Sequence, residues 1–198
     1  MRSIKKLLFM VEIVLRSLLP PFYSFAMVEN VCKRKLAERP NDMNAMWLLS
    51  NLYVWYGKYS EAKKQLELMQ QSGMDTKGVR LLLARVYFQL DKYEKVVDVL
   101  RLPDGRVACG STESYYLGYS LMKMERYDEA IGHLSKYARL KPKSAPALTG
   151  LGYSFLMLGS YDKALDAYRK AAQLNPSDEG LLVSMNLCAR KLEGPKNT

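Results

Sequence analysis

Histidine is all but missing from this chain of 198 residues; His133 stands alone. Tryptophan occurs twice and cysteine three times, as Cys32, Cys109 and Cys188. A lone histidine excludes a His-based metal site within one chain. Three cysteines, no two at metal-ligand spacing, argue against a structural zinc site and against a disulfide framework. Isolated thiols of this kind act as small core hydrophobes and fit a reducing, cytoplasmic compartment. His133 falls in the helical stretch Ile131-Gly132-His133-Leu134 with no motif around it, so it reads as a structural or surface residue. The chain has no phosphate loop, no dinucleotide fingerprint and no nucleophile elbow, so no catalytic residue, metal or cofactor is expected and the protein is read as non-enzymatic.

Composition narrows the class further. Apolar residues make up 48% and charged residues 25%, which suits a folded chain and excludes a disordered tail, a collagen-like rod and a polytopic membrane protein. Lys and Arg total 30 against 20 acidic residues, a formal charge of +10. That excess is compatible with nucleic acid, anionic lipid or an acidic partner, and it does not bear on the fold. The basic groups Lys33-Arg34-Lys35 with Arg39, and Arg139/Lys141/Lys143, read most simply as solvated charge.

What the chain does have is a period. Tyr59, Tyr93, Tyr127 and Tyr161 stand 34 residues apart, each in a similar phrase: Gly57-Lys-Tyr, Asp91-Lys-Tyr, Glu125-Arg-Tyr and Gly159-Ser-Tyr. Leu49, Leu83, Leu117 and Leu151 keep the same step. So do the small residues Ser50, Ala84, Gly118 and Gly152, and the larger apolar residues Leu66, Leu100, Leu134 and Tyr168. Pro142 and Pro176 close the last two units, where a missing amide and a clash with the preceding turn stop a helix. Within each unit apolar residues recur at helical spacing, as in Leu148, Leu151, Phe155 and Leu158, then Ala164, Leu165, Tyr168 and Ala171. Small residues at Gly118/Ala130 and Gly152/Ala164 are placed to let the two helices of a unit approach closely.

These columns resemble the tetratricopeptide repeat, whose pattern runs Trp-x2-Leu-Gly-x2-Tyr, then Ala-x3-Phe, then Pro. The last unit carries it as Leu148, Leu151, Gly152, Phe155, Ala164, Tyr168, Ala171 and Pro176. The resemblance implies an all-α fold, an α-solenoid of antiparallel helix pairs stacked into a right-handed superhelix, because each pair leaves an apolar face that only a neighbour can cover. It divides the chain into repeats at 43–76, 77–110, 111–144 and 145–178, with a capping helix and tail at 179–198. The second repeat is worn: Val96 replaces the small alanine, and Pro103-Asp104-Gly105 cuts its second helix short. Arg101–Thr112 is the one irregular insertion, a worn repeat edge or a loop over the groove.

Residues 1–42 are read as a degenerate helix pair. Residues 24–38 would form its second helix, with Ser24 as cap and Val28, Val31, Cys32 and Leu36 on one face. Residues 4–19 would form its first. On a helical wheel Arg2, Lys5, Lys6, Glu12 and Arg16 fall within one arc of about 120°. Glu12 and Arg16 interrupt the apolar run, and Pro20-Pro21 ends it short of the roughly 20 apolar residues that span a bilayer. The segment either packs on the first repeat or lies on a membrane surface, with a cleaved signal as a third reading; membrane association through residues 1–19 is the alternative localisation. At the other end, Ser177 or Asp178 caps a helix whose apolar side holds Leu181, Leu182, Met185, Leu187 and Leu192.

In this family the first helix of each unit lines the inner wall. The residues so placed are Trp47, Asn51 and Trp55; Leu81, Arg85 and Phe88; Tyr115, Tyr119 and Lys123; and Thr149, Tyr153 and Met157. Aromatic and Arg groups dominate binding hot spots because they bury large area for little lost rotamer freedom. Some relatives clamp acidic chaperone tails with inner lysines and asparagines, but Trp47, Leu81 and Tyr115 stand where basic groups are wanted. The resemblance thus implies a non-catalytic interaction module that holds a largely apolar peptide or amphipathic helix of another protein, as scaffold, adaptor or chaperone. A membrane-attached assembly factor anchored by residues 1–19 and a secretion chaperone are the alternatives. Nucleic acid is disfavoured, because the RNA-reading relatives lack this Gly/Ala/Pro pattern.

Overall fold

The computed structural model describes residues 21–102 and 110–193, with side chains from Phe25 onward. Expectations placed on residues 1–19, on Pro103-Asp104-Gly105 and Cys109, and on the tail from Gly194 lie outside these residues. Among the described residues there are ten α-helices and no strand: α1 (Pro21–Glu38), α2 (Met43–Trp55), α3 (Tyr59–Gln71), α4 (Lys77–Gln89), α5 (Tyr93–Leu100), α6 (Ser111–Lys123), α7 (Tyr127–Leu140), α8 (Ala145–Met157), α9 (Tyr161–Leu174) and α10 (Glu179–Glu193). None is long and apolar enough to cross a membrane.

The chain forms two compact units that divide inside α4, between Leu82 and Leu83. In the first, α1 packs on α2 and α2 on α3. In the second, α5 to α10 each pack on the next helix in sequence, and α6 also touches α8.

The repeating columns are the core. Leu49, Leu83, Leu117 and Leu151 are buried, as are Leu66, Leu100, Leu134 and Tyr168, the alanines Ala62, Ala130 and Ala164, and Val96 in their place in the second repeat. Burying a leucine side chain contributes about 1.5–3 kcal/mol. In the last unit Ala164, Tyr168 and Ala171 of α9 meet Leu181 and Cys188 of α10, with Leu148, Phe155 and Leu156 of α8 packed against them.

The small column has a purpose that differs in detail from the pairing with Ala130 and Ala164. A β-carbon at Gly118 would lie 2.7 Å from Leu134 Cγ, and one at Gly152 would lie 2.7 Å from Tyr168 Cδ1. The close approach is therefore to the large residue of the second helix, while the alanines fill the core beside it.

The phrases before the repeat tyrosines form one turn, four times. Gly57, Asp91, Glu125 and Gly159 all have left-handed backbone, with φ of 72°, 55°, 61° and 73°. The amides that follow, on Lys58, Lys92, Arg126 and Ser160, each donate to the carbonyl five residues back at 2.8–2.9 Å. This closes the first helix and turns the chain into the second. Elsewhere side chains cap: Asp42 Oδ1 accepts from the amides of Asn44 and Ala45 at 3.0 Å, and Ser144 Oγ accepts from Ala147 at 3.4 Å. Pro142 and Pro176 stand two residues past the last helical residues Leu140 and Leu174.

Two differences from the sequence reading concern the ends. Helix α1 starts at Pro21, not Ser24, and runs straight through Tyr23, which holds the position that Gly57 holds one step later. Proline at the first helical position is already set for the helix, and bulky Tyr23 disfavours a left-handed turn. The body of α1 keeps register, with Cys32 buried at the step of Leu66, while the position that matches Gly57 is helical. At the other end, Asp178 rather than Ser177 caps α10, accepting from Leu181 N at 3.3 Å. Helix α10 buries Leu181 and Cys188, whereas Leu182, Leu187 and Leu192 stay exposed. A helix that packs mainly on α9 covers a narrower face than a whole apolar side.

Candidate functional site

In the first unit Trp47 is half-buried on α2 and flanks the start of α4, where a β-carbon at Gly78 would lie 3.5 Å from its ring. The Asn51 amide donates to the Trp47 carbonyl at 2.8 Å, so its side chain is tied to its own helix. Trp55 is 59% exposed, and Leu81 is half-buried.

In the second unit the expected residues form a continuous aromatic wall. Phe88 of α4 lies edge-on to Tyr119 of α6, with ring centres 6.4 Å apart, and meets Tyr115 at the same distance. Tyr115 and Tyr119 are 4.8 Å apart, one helical turn along α6. Tyr116 and Tyr137 complete the cluster at 5.5 Å from Phe88 and 5.2 Å from Tyr115. Desolvation raises the Tyr115 hydroxyl above its ordinary range and pushes that of Tyr119 well above it. Tyr119 donates to the Pro146 carbonyl, which fixes α6 to the start of α8. Arg85 and Lys123 are exposed on the same two helices, α4 and α6.

An open groove of about 540 Å³ lies beside this wall. Tyr119, Met122 and Lys123 of α6, Tyr127 of α7, and Thr149, Gly150 and Tyr153 of α8 line it, with Tyr168 of α9 and Leu181 and Ser184 of α10. Gly150 leaves room there: a β-carbon would approach Leu134 Cδ1 at 3.2 Å and the Tyr119 ring at 3.4 Å. Tyr153 is 40% exposed and stands edge-on to Tyr127 at 6.1 Å. Met157, one turn further along α8, is also exposed. Burial pushes the Tyr168 hydroxyl up to about 12, against a lowering hydrogen bond with Ser184.

Of the expected residues, the structure brings together Phe88, Tyr115 and Tyr119 in one cluster and Tyr119, Lys123, Thr149 and Tyr153 around one groove. Sequence reading missed Tyr127, Tyr168 and Ser184 in the groove and Tyr116 and Tyr137 in the cluster. Tyr127 and Tyr168 were visible as repeat columns, but a column marks packing and does not reveal that one edge of the ring faces a cleft. His133 is half-buried on α7, and burial, then Lys136, lowers its proton affinity against an opposing pull from Glu129. Among the described residues no cluster of His, Cys, Asp and Glu has the make-up to hold a metal ion.

The comparisons with known proteins agree with this geometry. Residues 115–179 match the sequence model described as tetratricopeptide repeat, and residues 23–101 match that of anaphase-promoting complex, cyclosome, subunit 3. The chain belongs to the tetratricopeptide repeat family. No curated protein matches it significantly. Among solved structures, the tetratricopeptide-repeat protein YrrB, described as having an unusual peptide-binding site, superposes with a TM-score of 0.73 at 20% identity, covering 84% of this chain and 86% of that one. A structure of MamA superposes at 0.70 with 19% identity, covering 91% and 96%. TTC0263 from Thermus thermophilus, a thermophilic protein of the same repeat class, superposes at 0.53 with 19% identity over 85% and 92%. These likenesses concern the fold. As a tetratricopeptide-repeat protein, the chain is a protein–protein interaction module of a generally non-catalytic family.

Proposed function

We propose that this protein holds a peptide or helix of a partner protein along the tyrosine-lined groove of its second unit, and thereby acts as a scaffold, adaptor or chaperone. The observation that carries the reading is the open groove bordered by Tyr119, Tyr127 and Tyr153. Ring faces give large contact area with two rotatable bonds each, so little freedom is lost on binding. The Tyr119 hydroxyl raises no competing demand, because it is already bonded to backbone. YrrB, whose description names a peptide-binding site, shares the fold and supports the reading.

The test compares the full chain with Tyr119→Ala and Tyr153→Ala variants in co-purification from the native cell, with circular dichroism to verify folding. Partners retained by the wild type and lost from both variants support the reading. The same partners on all three proteins would place the binding surface elsewhere.

A further inference from the structure

We infer that α10 is a wall of the binding groove as well as the end of the array, and that its Val183 and Leu187 hold an aliphatic side chain of the ligand beyond the tyrosines. The inference rests on the groove reading above and adds a second anchor to it.

The register of α10 places these residues. Helix α10 packs on α9 and buries Leu181 and Cys188, as α8 packs on α7 and buries Ala147 and Ser154, 34 residues earlier. Helix α10 therefore takes the place of the first helix of a further unit. At the same step, Val183 continues the inner-wall column of Tyr115 and Thr149, and Leu187 continues that of Tyr119 and Tyr153. Gly180 and Ser184 of α10 already border the groove. Leu187 lies one turn beyond Ser184 on the same side of the helix, with Val183 beside it.

The two side chains have the chemistry of a contact surface. A helix that only ends an array turns a polar face outward, yet Val183 is 68% and Leu187 43% exposed. Charge gives the groove no preference of sign, because Lys123 borders it together with Glu125 and Asp178. The hydroxyls of Thr149 and Ser184 are engaged on the Ala145 and Gly180 carbonyls, at 3.0 Å and 2.9 Å. Selection is left to shape and apolar contact, with rings toward α6 and α8 and branched aliphatic side chains toward the outer side of α10.

The test uses fluorescein-labelled helical peptides, read by anisotropy on the full chain. One peptide carries Phe-Phe at one end and Leu-Leu at the other of an Ala-Gln helix, and its companion has Ala in place of both Leu. The pair is made in both chain directions. In the direction that binds more tightly, the Leu form should bind about tenfold better than the Ala form. Val183→Thr combined with Leu187→Gln should remove most of that difference. Leu182→Gln combined with Leu192→Gln, at exposed leucines of the same helix outside the two columns, should leave it. Equal binding of the Leu and Ala forms, no binding of either, or equal effects of the two pairs of variants would overturn the inference. So would sedimentation that shows a dimer in the wild type and a monomer in the Val183/Leu187 variant, which would make this face a contact between copies. Tyr119→Ala and Tyr153→Ala separate the two readings. If they abolish binding of every peptide while the α10 variants change nothing, the groove stands and the α10 anchor falls; if they leave every peptide bound, the groove itself falls.

Discussion

Gly152 of α8 lies against the ring of Tyr168 of α9 so closely that a β-carbon would sit 2.7 Å from Cδ1 and 2.7 Å from Cε1. Tyr168 is a buried member of the core, so its ring cannot shift without disturbing its packing against Ala164, Ala171, Leu181 and Cys188. Gly132 on α7 offers the opposite environment, exposed and with nothing within 4 Å of a β-carbon. The same substitution therefore has opposite signs at two helical glycines. Gly132→Ala should stabilise the protein by about 0.5–1 kcal/mol through helix propensity. Gly152→Ala forgoes that gain to overpacking and should cost about 1–3 kcal/mol net. Urea midpoints of the two variants check this; destabilisation by both, or by neither, would contradict the packing described.

The left-handed turns supply a second pair. Glu125 adopts φ 61° where the equivalent positions in the first and fourth repeats use glycine. An L-residue with a β-carbon pays about 1–2 kcal/mol for that conformation. Glu125→Gly should recover part of this, roughly 0.5–1 kcal/mol after the entropy of the glycine is counted, and Gly159→Ala should lose about 1 kcal/mol. Thermal midpoints moving in opposite directions are the expected result.

Acid sensitivity has an identified source in the first unit. Glu29 of α1 accepts from Lys33 Nζ at 2.8 Å and from the Tyr53 hydroxyl of α2 at 2.9 Å. The Lys33 hydrogen bond, then that of Tyr53, hold its carboxyl below its ordinary 4.5 against the opposing cost of burial. A carboxyl depressed in the folded state stabilises above its unfolded value and loses that contribution as the pH falls through the folded one. Stability should thus decline as the pH drops below about 4.5, and Glu29→Gln should flatten that limb. Tyr53→Phe should cost about 1.5–3 kcal/mol at neutral pH by removing a hydrogen bond to a charged group. Denaturant titrations across pH 3–7, about the range over which carboxylates titrate, test both.

Cys32 and Cys188 are both almost wholly buried, and desolvation raises both thiols above their ordinary range. Only the thiolate reacts, so both should resist a thiol reagent in the native state and label after unfolding. With Cys109→Ser removing the third thiol, native labelling that proceeds at the denatured rate would show the core to be open.

The fold was legible because its signal repeats. Columns at a step of 34 residues name the leucines, the small residues and the tyrosines after each turn; the leucines and small residues are core, and the tyrosines are half-buried first residues of the second helices. The phrase Gly-x-Tyr could be read as a turn, but its generality could not: Asp91 and Glu125 adopt the glycine conformation because the surrounding helices impose it. The candidate site was half legible. The inner-wall positions followed from helical spacing, which placed Phe88, Tyr115, Tyr119 and Tyr153 on one side of successive helices. Tyr127, Tyr137 and Tyr168 could not be placed beside them, because they come from second helices whose rings reach the site only once the helices are packed.

By itself, then, the sequence determined which residues face inward along each helix, since a period of 3.6 within a period of 34 leaves only one face to bury. Tertiary packing alone decided that the Tyr119 hydroxyl is used up on backbone, which tyrosine rings meet beside the groove, and which face of α10 is covered. Those outcomes depend on contacts between residues far apart in the chain, where no local rule of spacing reaches.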